Sequence, residues 1–461
     1  MKKLLIAVLL LLPFAGQSQG KPSGASLSSL WKVVGTAGFT GGPAGYLSLV
    51  LDSSGIPYLA FKDYSHSGRA TVMTFNGTQW MNVGTPGFSS GEVWFTSLAT
   101  GTAGKLYVAY EDAANAFKAT VMTFDGDGWV PAGLPGFTAG TANYTSLAVN
   151  PAAPGQPFVA FMDGAHGNKA SVMMFDGSSW TYAGAPGFSA GEAEYVNLAF
   201  DPSGNPYVAF QDYAHSLKAS VMKFSGTSWT YAGNAGFSQG PALFCHLSFN
   251  PAGEPHVAYW DQLVHGVVLK FNGTGWVNIG YPGFSAGEAH HTGLVFDQSG
   301  QAYVAFIDLT DYKFPKVVTY TPSGWSPVGY TGVSNGSADF TSLAMSPSGK
   351  LYIAFQDMDH ASRATVKVFD SVYTGMNQPE KTTLRIRPNP ACKSICIDLP
   401  PGCTASGMIN VYRSDGVNIL NAAFTGNQPC LETGNLPAGL YYLRIKTGSA
   451  DYSGKFVRAV K

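Results

Sequence analysis

"YVNLAFDPSGNPYVAFQDYAHSLKASVMKFSGTSWTYAG" runs from residue 195 to 233, and its reading decides the fold. Four short apolar stretches stand in it, at 195–201, 206–212, 218–224 and 229–233. Turn-forming residues separate them. No stretch holds a 3.6-residue apolar period, and glycine punctuates every ten or so residues. Helices are therefore excluded, and four short strands fit the segment.

The chain writes this text seven times. Trp31, Trp80, Trp129, Trp180, Trp229, Trp276 and Trp325 recur about every 49 residues. After each come a Gly, in most units a "GF[ST]xG" phrase, and strands broken at an Asp. Four-stranded units of this length, repeated four to eight times, predict a β-propeller. The chain enters with an outer-strand phrase, "WKVVG" at 31–35, and its last unit stops after "ATVKVF" at 364–369 without one. The last blade is complete only if the first residues supply its fourth strand, a closure that removes open edges. The expected fold is all-β, a seven-bladed β-propeller closed by its N-terminal strand and followed by a small β-sandwich. The expected divisions are a signal peptide at 1–20, the propeller at 31–371, a linker at 372–383 and a last domain at 384–461.

Only 12% of the 461 residues are charged, and the formal net charge is -1, with no basic run. Nucleic acid and anionic membrane are thus not expected partners. "MKKLLIAVLLLLPFAGQSQG" at 1–20 has the charged start, short apolar stretch and small-residue end of an export signal. Its apolar stretch is too short to span a bilayer, and no later segment reaches transmembrane length. Cys392, Cys396, Cys403 and Cys430 crowd near the C-terminus, where an exported module is expected to use them as disulfides of open pairing. Cys245, inside an apolar run, reads as an inert buried thiol.

Asp63, Asp112, Asp163, Asp212, Asp261, Asp308 and Asp357 hold one position in all seven units. A ring of carboxylates for calcium or a sugar is one reading. The other is a strand cap that accepts the N–H groups of its own turn, and sevenfold repetition favours it. Arg69, Lys118, Lys169, Lys218 and Arg363 follow at fixed spacing, which suggests surface ion pairs with the Asp. His66, His166, His215 and His360 stand between acid and base, as hydrogen-bonding groups for a hydroxylated ligand. Catalysis by this triplet would need a nucleophile oriented by the imidazole, and no Ser or Cys is read in register. The "GF" aromatics Phe39, Phe88, Phe137, Phe188, Phe237 and Phe284 are either sugar platforms or plugs between blades, and their glycine neighbours favour plugs.

Two positions vary freely. One reads Gly45, Trp94, Asn143, Glu194, Leu243, His290 and Asp339; the other reads Lys62, Glu111, Met162, Gln211, Trp260, Ile307 and Gln356. Both are expected near the mouth of the central channel, free to carry specificity. Units five and six also gather His246, His256, Trp260, His265, His290 and His291, a sector suited to metal or acid–base chemistry. Ligand-binding candidates are therefore His66, His166, His215, His360, Trp94, Glu194, Trp260, His290 and His291. No cofactor or metal is expected, and calcium has no support in the spacing.

The last eighty residues lose the repeat. Pro388, Asn389 and Pro390 follow a first strand, Asp415-Gly416 marks a middle hairpin, "LPAGLYYLRI" at 436–445 contains Gly439 and Tyr441, and a Lys-bearing strand ends the chain. In this order the segment resembles the type A C-terminal sorting domain of type IX secretion cargo. The resemblance implies translocation by that secretion machinery and release or display at the cell surface. The function expected of the propeller is non-enzymatic binding or adhesion, with glycans the leading ligand class. One alternative is a polysaccharide hydrolase or lyase using Glu111, Glu194, His290, His291 and Asp339. The other is a scaffold for a surface protein.

Overall fold

Each second strand is buried on both faces, which explains its nearly unbroken apolar text: in Pro206–Asp212 all seven residues are buried. A third strand such as Lys218–Phe224 follows, and then an outer strand of three residues that buries only its Trp. The computed structural model describes residues 31–369 and 384–459, apart from 102, 103, 154, 264, 281, 282, 330, 331, 335, 392, 400–405, 414–417, 427 and 448–450. The stretches read as an export signal and a linker, together with Cys392, Cys403, Asp415, Gly416 and Lys461, lie outside the described residues. Two compact units are present, Met1–Ser371 and Val372–Lys461.

The first unit is a ring of seven four-stranded antiparallel sheets. The innermost strands are Ala44–Leu51, Val93–Thr100, Ala142–Val149, Ala193–Phe200, Ala242–Phe249, Ala289–Phe296 and Ala338–Met345. Each neighbours the next, and the seventh neighbours the first. The seventh sheet is completed by Trp31–Val33, with Trp31 opposite Phe369 and Val33 opposite Lys367. The phase of the sequence repeat is thereby explained.

Adjacent blades are joined by repeated contacts. The indole N–H of Trp80 donates to Val34 O at 2.8 Å, that of Trp180 to Ala132 O at 2.7 Å, and that of Trp31, across the closure, to Val328 O at 2.9 Å. The "GF" rings stack on these indoles, Phe39 on Trp80 at 4.2 Å and Phe188 on Trp229 at 4.3 Å between centroids. The plug reading of these aromatics is the correct one. Deeper in, a polar side chain on one innermost strand accepts an N–H of the next: Ser48 from Leu98, Asn197 from Leu247, His246 from Leu294.

The second unit has a three-stranded sheet in the order Arg385–Arg387, Ser394–Asp398, Cys430–Glu432. Its four-stranded sheet runs Asn418–Thr425, Ser406–Arg413, Gly439–Thr447, Asp451–Arg458. Ile395, Ile397, Ile409, Val411, Tyr441 and Phe456 share one core. A disulfide joins the cross-strand pair Cys396 and Cys430. Asn389 accepts the N–H of Val457 at 2.9 Å, so the Pro388-Asn389-Pro390 corner holds the last strand. The Tyr441 hydroxyl donates to Pro437 O at 2.8 Å across the turn that Gly439 leaves.

Candidate functional site at the channel mouth

The repeated Asp is spent on its own turn. Asp212 Oδ1 accepts the N–H of Ala214 at 3.1 Å, while Oδ2 receives His215 Nδ1 at 2.8 Å and Ser220 Oγ at 2.8 Å. Asp63, Asp163 and Asp357 repeat the set with His66, His166 and His360. Asn115 replaces the imidazole on Asp112, and Lys316 reaches Asp308 at 2.7 Å. In the fifth blade Asp261 accepts the N–H of Gly240 at 2.9 Å instead. The carboxylates are buried caps.

Two expectations fail here. Among the described residues no ion pair joins Arg69, Lys118, Lys169, Lys218 or Arg363 to its Asp, because imidazole and hydroxyl already occupy the carboxylate. A hydroxyl residue does recur in register, eight positions after the Asp: Thr71, Thr120, Ser171, Ser220 and Thr365. It donates to the Asp rather than to the His, and it accepts the N–H of a glycine in the "GF" loop, as Thr71 does from Gly87 at 2.8 Å. This bonding ties the two long connections of a blade to one face. Gly87 has φ +63° and no room for a Cβ, which would meet His66 Cβ at 2.7 Å.

On that face the channel opens through a collar. Tyr46, Phe95, Tyr144, Tyr195, Phe244, His291 and Phe340 stand one per blade, each in the left-handed region with φ between 48° and 54°. Each sits in a bulge of its innermost strand, such as that between Glu194 and Asn197. Adjacent rings lie 4.9–5.3 Å apart between centroids, and the circle is complete. Left-handed backbone at a bulky residue costs on the order of 1–3 kcal/mol. Hydroxyls from the following blade brace it: Thr145 donates to Phe95 O at 2.5 Å and Thr341 to His291 O at 2.6 Å. The collar residues and their followers line a cavity of about 250 Å³.

The two variable positions are cross-strand partners beside the collar. The pairs are Gly45 with Lys62, Trp94 with Glu111, Asn143 with Met162, Glu194 with Gln211, Leu243 with Trp260, His290 with Ile307 and Asp339 with Gln356. Trp94, Glu194 and His290 each precede a collar residue, and His291 belongs to the collar. His66, His166, His215 and His360 lie apart from the cavity lining, on the blade turns, with part of each ring exposed.

Charge is concentrated unevenly. His291 Nε2 lies 2.9 Å from Asp339 Oδ1; burial pulls that carboxyl upward, but the bond and charge of His291 outweigh it and hold its pKa low. His290 stacks between Phe244 and Trp260, and burial, with His291 alongside, keeps it below the usual imidazole range. Its Nε2 is 3.5 Å from Glu288, an ion-pair separation without a hydrogen bond. Tyr213 bonds to Glu194. Lys62, buried, pairs with Glu92 at 2.6 Å and lies 3.9 Å from the centre of the Trp94 ring. Glu111 is raised to about 7 by burial, against the lowering pull of Lys62.

The histidine sector of blades five and six separates into different roles. His246 and His256 are structural, the first accepting Leu294 N–H and the second bonded to Glu254 O at 2.9 Å. His265 is exposed at the start of a third strand, away from His290 and the cavity lining. Cys245 is a buried free thiol whose pKa burial lifts to about 12. Among the described residues no group of three His, Cys, Asp or Glu side chains could hold a metal ion. Sequence reasoning missed the collar, although its signal was present: the residue after the variable position is aromatic or His in every unit.

Residues 385–459 match the family described as "Secretion system C-terminal sorting domain". This part of the chain is a sorting domain of type IX secretion, and it marks the protein for secretion or attachment at the cell surface. No curated protein matches the chain. Solved structures similar to it include a polysaccharide lyase of the ulvan lyase type, 12% identical over 73% of this chain and 95% of that one, with a TM-score of 0.48. AofleA from Arthrobotrys oligospora is 11% identical over 66% and 89%, at 0.44. A lectin of Aleuria aurantia is 16% identical over 61% and 97%, at 0.39. At such identities and scores these likenesses fix neither ligand nor chemistry.

Proposed function

We propose that the propeller is a glycan-binding module, exported or displayed at the cell surface, whose binding surface is the mouth of the central channel. The observation that carries this reading is the collar. Seven rings held in a costly backbone conformation form a continuous aromatic platform, and strain retained in every blade points to use. Around the platform, Trp94, Glu194, Trp260, His290, His291 and Asp339 offer stacking faces and hydrogen-bonding groups of the kind hydroxyl-rich ligands need. Further out, Tyr64, Phe117, Tyr213 and Tyr312 are exposed on the blade turns. His66, His166, His215 and His360 would serve as an outer polar ring.

The test is co-sedimentation of the purified chain with cellulose, chitin, xylan, mannan, laminarin and alginate. Tyr144→Gly together with Tyr195→Gly removes two rings at positions whose positive φ suits glycine. Each lost stacking contact is worth about 1 kcal/mol, so the double variant should bind about tenfold or more weakly. Unchanged binding by the variant, or no binding by the wild type to any member, overturns the reading.

A further inference from the structure

The wall of the collar cavity departs from sevenfold order in one sector, blades three to five. Two residues past their collar rings, Ser146 accepts the N–H of Leu198 at 3.0 Å and Asn197 that of Leu247 at 2.8 Å, and both line the cavity. With a lone pair spent in this way, the Ser146 hydroxyl keeps its proton to give. The bond from Leu247 also fixes which end of the Asn197 amide is oxygen, so Nδ2 turns one proton to Ser146 Oγ at 3.5 Å and has a second. The residue directly after each ring departs too. Thr96, Thr145, Thr292 and Thr341 give their hydroxyls to the carbonyls of Tyr46, Phe95, Phe244 and His291. Leu47, Val196 and Cys245 replace that Thr elsewhere, and the last two stand on adjacent blades. The carbonyls of Tyr144 and Tyr195 therefore go without the hydroxyl, and Val196 and Cys245 form an apolar seat in the cavity wall instead. The Tyr144 and Tyr195 rings beside it lie 5.1 Å apart between centroids.

We propose that this sector is a socket for a 2-acetamido sugar, taken with its acetamido group toward the channel. The inference rests on the mouth being a glycan-binding surface. The socket offers that group a partner for each of its parts. Its carbonyl oxygen accepts from the Ser146 hydroxyl and Asn197 Nδ2, and its N–H donates to the carbonyl of Tyr144 or Tyr195. Its methyl meets Val196 and Cys245, while the sugar ring covers the tyrosines. A hydroxyl in place of the acetamido group would set a polar group against the apolar seat. A carboxylate has neither N–H nor methyl, and it would meet Glu194, which after burial is the next cause raising the pKa of both tyrosine hydroxyls. The cavity of about 250 Å³ has the volume of about eight waters, the scale of one sugar residue.

The experiment uses the full chain on the same six polysaccharides, of which chitin alone is a polymer of 2-acetamido sugars. The chain should be retained on chitin and released by excess N-acetylglucosamine or N-acetylgalactosamine, but not by glucosamine or glucose at equal concentration. Which of the first two releases it better separates a chitin-type from a glycoprotein-type source. Val196→Thr installs the residue that four other blades hold here, and an unchanged thermal transition will confirm folding. The new hydroxyl caps the Tyr144 carbonyl and puts a polar group in the methyl seat, so the variant should bind chitin about tenfold more weakly. Retention on other members but not on chitin overturns the inference and leaves the binding reading intact. Equal release by all four sugars also overturns it, as does undiminished chitin binding by the variant. No binding to any of the six overturns both.

Discussion

His246 sits on an innermost strand where five other blades have Ser or Asn and the sixth has Gly293, and it does the work of those five. Its Nδ1 accepts the N–H of Leu294 at 3.3 Å, so that nitrogen carries no proton, and burial holds its pKa down at about 4. Between pH 6.5 and 4 the unfolded chain binds a proton there that the folded chain refuses. The stability that neutral His246 contributes is therefore present above pH 6.5 and lost as pH falls toward 4, by about 3 kcal/mol at the limit. His246→Asn installs the group with which Asn197 accepts Leu247 N–H at 2.8 Å. Urea unfolding at pH 7 and pH 4.5 should show the variant losing about 2 kcal/mol less than the wild type over that interval. Equal losses would mean that His246 is not a neutral acceptor. His256 and His290, shifted in the same direction, keep some acid sensitivity in both proteins. In the sequence these histidines look alike, because residue type does not say which strand neighbour a ring will meet.

At the scale of elements, the strand Trp31–Val33 is three residues long and closes the ring. Trp31 is buried, donates to Val328 O and packs against Phe369 with centroids 5.3 Å apart. Deleting residues 31–35 removes that indole, worth about 3–5 kcal/mol by analogy with large-to-small core changes. It also leaves the strand Arg363–Phe369 as an open edge, which templates pairing with another chain. The deleted protein should melt well below the wild type and associate with rising concentration in light scattering. Trp180→Ala, inside the ring, should lower the melting temperature without association. A deletion protein that stays monomeric would show that the closing strand does not protect an edge. This closure was legible because the repeat begins and ends out of phase, a property of the text alone. The collar was not legible as a ring. A bulge in each innermost strand turns one residue to positive φ and breaks the two-residue alternation by which strand faces are read.

At the scale of the whole molecule, most of the repeated chemistry is consumed by the fold: Asp in its turn, Trp across each blade junction, Phe between blades. What remains for a ligand are departures from sevenfold order, and a sequence records these without showing which of them meet. Lys62, Glu92 and Trp94 are brought together by ring geometry across a blade junction, which no spacing reveals. The sorting domain was legible, by contrast, because its motifs follow one another along the chain, and its match over 385–459 assigns the route out of the cell. Propeller and sorting domain have separate hydrophobic cores. Removing residues 384–461 should therefore leave the thermal transition of the propeller unchanged while abolishing its delivery. In cells that carry the secretion machinery, the truncated chain should collect in the periplasm, and the full chain should reach the medium or become accessible to protease on intact cells. Fractionation of the two strains decides the matter. Surface delivery of the truncated chain would mean that the propeller carries an export signal of its own, and a lost thermal transition would mean that its fold depends on the second unit.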